Sequence, residues 1–103
     1  MPSSVLEFPF GYTHLTETTQ VSTAKGTLHS LTINRPDPAG GANITLYDSA
    51  AGADAENILA IIAMDSALFV VPVTLLYDIE FENGLYVEFS AGFTLGDITI
   101  GWR

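Results

Sequence analysis

Asp78, Glu80 and Glu88 are the residues whose type and spacing come nearest to chemistry in this chain. Asp78 and Glu80 sit two apart in an alternating stretch, and Glu88 lies in a second such stretch beyond Glu82-Asn83-Gly84. If the two stretches pair as strands, Asp78 faces Glu88, and like charges opposite each other on a ladder repel. A Ca²⁺ ion would relieve that repulsion, because it takes several carboxylate oxygens. The three are weak metal candidates only, since adjacent strand positions rarely deliver the ~6–8 oxygens that calcium needs. A solvated acidic face, or one turned to a basic partner, accounts for them without a metal. Asp48, Asp54, Glu56 and Asn57 form a second oxygen-rich stretch, without the alternate-residue spacing and central glycine of an EF-hand loop.

The two histidines, His14 and His29, have no metal-binding motif around them. His29 alternates in phase with Leu31 and Ile33, which marks it as an inward or edge histidine rather than a catalyst. No serine nucleophile elbow or phosphate loop is present. With no cysteine in the chain, disulfides, thiolate zinc sites and cysteine nucleophiles are excluded. The expectation is a protein that is not an enzyme and that takes no cofactor.

The elements that must carry these residues are strands. From Val73 to Phe81 the odd positions read Val, Leu, Tyr, Ile, Phe and the even ones Thr, Leu, Asp, Glu. Leu85, Val87 and Phe89 resume the apolar phase after the turn. A three-residue turn would pair Phe81 with Leu85, Ile79 with Val87 and Tyr77 with Phe89, with Gly84 supplying a left-handed conformation. Thr27–Asn34 and Ala42–Asp48 read as two further strands, joined by the Pro- and Gly-rich stretch Arg35–Gly41 and expected to pair. Val21–Thr23 reads as a short strand, Ile58–Met64 as a strand buried on both sides, and Ala67–Val71 as another apolar segment. In the closing Asp97–Arg103, Ile98, Ile100 and Trp102 share the inward phase.

Chain length of 103 residues indicates one domain. The predicted fold is all-β: a single antiparallel β-sandwich or jelly roll of about seven or eight short strands. Residues 21–103 form the sandwich domain. Residues 1–20, with Pro2, Pro9, Gly11 and the aromatics Phe8, Phe10 and Tyr12, hold no sustained period and read as an irregular N-terminal arm or a frayed terminus. The net charge of −9, with only Lys25, Arg35 and Arg103 as cations, disfavours nucleic acid and anionic membrane as partners. The N-terminus lacks the basic and apolar regions of a secretion signal, and the longest apolar run, Ile58–Met64, falls far short of the about 20 residues that span a bilayer. Outward apolar groups, Tyr47, Leu76 and Tyr86, join Phe8, Phe10 and Tyr12 as candidate interface residues.

The segments TLHSLTINRP at 27–36, NITLYDSA at 43–50 and VTLLYDIEFENGLY at 73–86, with the closing DITIGWR, resemble small all-β virion proteins of tailed bacteriophages. The resemblance covers roughly residues 25–103 and carries structural motifs only. It implies a capsid decoration (cement) or head-fibre type of protein. Such a protein would be made in the host cytoplasm and placed on the capsid surface of the virion. Its partners would be the major capsid protein and copies of itself, a homotrimer being favoured. Contacts that are individually weak gain strength on a fixed lattice by multivalency. The alternative is a receptor- or carbohydrate-binding module of a head or tail fibre, with Tyr47 and Tyr86 as stacking residues, or another tail or baseplate component.

Overall fold

Strict alternation in Val73–Phe81 survives folding: odd positions turn inward and even positions lie exposed. The computed structural model describes residues 10–36, 42–64, 72–90 and 95–103. Among these, eight strands form two four-stranded antiparallel sheets. They are β1 (Gly11–Leu15), β2 (Thr19–Ser22), β3 (Gly26–Arg35), β4 (Asn43–Tyr47), β5 (Ile58–Ala63), β6 (Val73–Phe81), β7 (Leu85–Phe89) and β8 (Asp97–Trp102). One sheet has the order β1-β8-β3-β6 and the other β2-β7-β4-β5. Successive strands alternate between sheets except at β4–β5, which is the jelly-roll arrangement. The expected Ala67–Val71 segment lies outside the described residues.

The core lies between the sheets. Phe81, Leu28, Leu31, Ile33, Ile44, Leu46, Met64, Leu85, Val87, Ile98 and Ile100 are fully buried in it. Each large apolar side chain buried in this way contributes about 1.5–3 kcal/mol relative to exposure. Trp102 packs at the margin, its ring 6.4 Å from that of Phe81 and its Nε1 donating to Thr13 Oγ1 at 3.0 Å. These contacts tie the terminal strand to the core and to β1.

Two expected pairings do not form. β6 pairs with β3, and β7 pairs with β2 and β4, so the segment 73–89 is a corner between sheets and not a hairpin. Phe81 and Leu85 do share the core, but from opposite sheets. Likewise β3 and β4 lie in different sheets, and β4 pairs with β5. Alternation reveals which face of a strand is buried. It is equally satisfied by a neighbour beside the strand and by one across the core.

Residues 11–15 and 19–20, expected within the N-terminal arm, lie in strands. Gly11–Leu15 is an edge strand paired residue by residue with β8, and Thr19–Ser22 pairs with β7. Leu15 is buried in the core and Val21 packs against it. Of the arm aromatics, Phe8 lies outside the described residues. Phe10 stacks on His29, with ring centroids 4.2 Å apart.

β5 also departs from expectation. It is an edge strand, and Ile58, Ile61 and Ala63 are exposed while Ile62 is buried. In β3 the phase slips once: Leu28 and Leu31 are both buried, three residues apart. A bulge there sets His29 opposite the two β6 residues Tyr77 and Asp78. Asp78 takes a φ of 49°, the left-handed position that Asp tolerates better than most residues. The bulge turns His29 to the outer face, away from the inward phase of Leu31 and Ile33, where it is hydrogen-bonded to Asp78 through Nδ1.

Candidate functional site

The sandwich separates the three acidic candidates. Asp78 and Glu80 sit on the outside of β6, and Glu88 lies on β7 in the other sheet. Asp78 is engaged by His29, and Glu88 accepts a hydrogen bond from Tyr47 Oη at 2.9 Å. The facing pair Asp78–Glu88 therefore does not exist. Among the described residues, no group of three or more His, Asp or Glu side chains is placed to hold a metal ion. His14 bonds Asp97 across β1 and β8 at 2.7 Å, beside Asn34, which donates to the same carboxylate oxygen at 2.9 Å. Burial alone would raise the Asp97 pKa. The hydrogen bonds from His14 and Asn34 and the charges of His14 and Arg35 outweigh it and hold the carboxyl below its ordinary value.

Asp48 belongs to a different construction, which the sequence did not reveal. It follows β4 and reaches the corner between β6 and β7. Its Oδ2 accepts the Glu82 N–H at 2.9 Å, and its Oδ1 accepts the Asn83 N–H at 2.7 Å and, at a longer 3.4 Å, that of Gly84. Desolvation would raise the Asp48 pKa, but these backbone donors, with the Asn83 side chain, prevail and lower it. Gln20 locks the same end. Its Nε2 donates to the carbonyls of Ser22 and Ser49 at 2.9 and 2.7 Å, and its Oε1 accepts the Gly52 N–H at 3.1 Å. Gly84 does not take the left-handed conformation expected of it. It is required by space: a Cβ there would sit 2.6 Å from the Ser22 carbonyl and 2.7 Å from that of Ser49. An Asp spaced dozens of residues from the turn it caps leaves no local motif to find.

Candidate interface residues fall on both outer faces. On the first sheet the register places Tyr12, Gly101, Ser30 and Leu76 in one row across all four strands. Tyr12 is 60% exposed and Leu76 69%. A Cβ on Gly101 would meet Ser30 Oγ at 2.6 Å and the Tyr12 ring at 2.8 Å, so the tyrosine lies over the glycine. Polar residues flank this row: Thr32 and Thr74 are hydrogen-bonded at 2.9 Å, and Asn34 donates to Thr99 at 3.0 Å.

On the second sheet, Tyr47 and Tyr86 are neighbours in register, with rings 6.0 Å apart. Tyr86 thus adjoins Tyr47 across the β4–β7 pair. Tyr47 is buried and its hydroxyl is committed to Glu88. That bond, then burial and the Glu88 charge, raise its pKa above the ordinary phenol value. Beside this pair lies the edge strand β5, with Ile58 42% and Ile61 63% exposed. Neither isoleucine stood out in the sequence, because an unbroken apolar run hides which face is wet.

Comparison with family models, with curated proteins and with solved structures finds no match to this chain.

Proposed function

We propose that this chain is a non-enzymatic virion protein of a tailed bacteriophage, a capsid decoration protein that clamps major capsid protein subunits as an oligomeric jelly roll. The observation that carries the reading is the uncharged edge strand β5, whose Ile58 and Ile61 stand in solvent next to the Tyr47–Tyr86 pair. Natural edge strands are blunted by charge, proline or a cover. β5 carries no charge and no proline, and among the described residues it pairs only with β4. Its edge suits pairing with a neighbouring subunit, and its apolar face suits a protein interface. The outer row from Tyr12 to Leu76 gives the opposite sheet a second contact face. The Thr and Asn residues around it would stay in solvent or meet polar groups of the shell.

A binding assay on decorated and undecorated capsids tests this. Ile61→Glu should fold as the wild type does and lose capsid attachment. Full attachment of the folded variant would remove β5 from the interface.

One observation favours a second reading, a carbohydrate-binding module. Tyr12 presents an exposed ring over Gly101, the kind of flat aromatic face on which a sugar can stack. A glycan array with hits abolished by Tyr12→Ala would support it over the capsid reading.

A further inference from the structure

Asn83-Gly84 is the only Asn-Gly step in the chain, and it sits at the corner between β6 and β7. Such a step is prone to an intramolecular reaction. The Gly84 nitrogen loses its proton and attacks Cγ of Asn83, the side-chain nitrogen leaves as ammonia, and a five-membered succinimide forms. Water then opens the ring to aspartate or isoaspartate. No oxidant, reductant or further reactant is needed. Asn83 is exposed, so water is at hand, whereas Gly84 is buried.

We propose that Asn83-Gly84 is a latent deamidation site held shut by Asp48. The same carboxylate engages the backbone of both residues. It accepts the Gly84 N–H, the nucleophile once deprotonated, at 3.4 Å, and the Asn83 N–H at 2.7 Å. A carboxylate beside the Gly84 nitrogen disfavours the nitrogen anion that must form, because like charges repel at short range. Attack also requires the Asn83–Gly84 backbone to rotate. The Asp48 bonds to the Glu82 and Asn83 N–H groups, at 2.9 and 2.7 Å, resist that rotation. The close carbonyls of Ser22 and Ser49 hold Gly84 from the other side.

Reaction therefore waits for the corner to open locally. Once it has occurred, closing is impaired. Either product adds a negative charge next to Asp48, and isoaspartate also lengthens the backbone by a methylene. The chemistry converts a reversible opening into a permanent loosening of this end of the sandwich.

Mass spectrometry of the full chain and of a peptide spanning residues 78–88, incubated together at mildly alkaline pH, reads the site directly. The folded wild type should form deamidated and isoaspartyl product at Asn83 at least about tenfold more slowly than the peptide, the factor set by an opening free energy of ~1.4 kcal/mol. Asp48→Asn, which keeps the shape and removes the charge, and Asp48→Ala should raise the rate severalfold toward that of the peptide. Asn83→Gln, which lacks the reactive spacing, should leave the corner unmodified. A folded wild type that deamidates as fast as the peptide overturns the proposal, whichever variants fold. A folded Asp48 variant no faster than wild type overturns the assignment to Asp48.

Discussion

The corner at Glu82–Gly84 and the edge at β5 treat the same problem in opposite ways. Both are places where a strand leaves backbone groups without a neighbouring strand. At the corner, Asp48 accepts three successive N–H groups, and Gln20 bonds the surrounding carbonyls from inside the chain. At β5, no described strand pairs with the outer edge, and exposed isoleucines take the place of charges. One region is completed within the monomer; the other is suited to completion by a partner. On the proposed function, stability and interaction would be assigned to different parts of a small sandwich.

Substitutions at the corner should therefore cost stability, and substitutions at β5 should not. The largest loss is expected for Gly84→Ala. Its Cβ would press on two backbone carbonyls, and overpacking of that kind costs about 1–3 kcal/mol, with the upper end expected where backbone must move. Denaturant unfolding would show a lower midpoint with an unchanged slope. A Gly84→Ala protein as stable as wild type would mean that the corner is loosely held. Next comes Asp48→Ala, which leaves three N–H groups without their charged acceptor and should cost about 2 kcal/mol in the same assay.

Acid should reproduce part of that loss. Asp48 and Asp97 both have folded pKa values below their ordinary 3.8. Their contribution is complete above the unfolded value and disappears as pH falls through the folded one. Thermal melts should show wild-type stability falling below about pH 4, with a shallower fall in Asp48→Ala. At the alkaline end the sign reverses. Tyr47 and Tyr77 have raised values, so their contribution holds below pH 10 and is lost as pH climbs past it. The smallest effect belongs to the edge: Ile61→Glu should change monomer stability by no more than about 0.5 kcal/mol. A large loss there would show that Ile61 is held within the monomer and would erase the contrast.

Much of this fold was legible in the residues. The inward phases of β6, β7 and β8 place Phe81, Val87 and Ile100 where alternation puts them. What alternation cannot convey is which sheet a strand joins, and the expected hairpin therefore became a corner. The bulge at His29 was hidden for a related reason. A single extra residue shifts the phase, and only the pairing with β6 and β8 reveals it. Of the surface candidates, Tyr12 and Leu76 are as exposed as their positions indicate, whereas Tyr47 is covered by its neighbours and bonded to Glu88. Asp48 looked like part of a polar loop, since its partners lie more than thirty positions away in the chain.

The central claim is that this jelly roll decorates a capsid. Quantitative mass spectrometry of purified virions tests it most directly. The account predicts that the chain is present in a fixed stoichiometric ratio to the major capsid protein. Presence in only a few copies per particle, or absence from the particle, would contradict it.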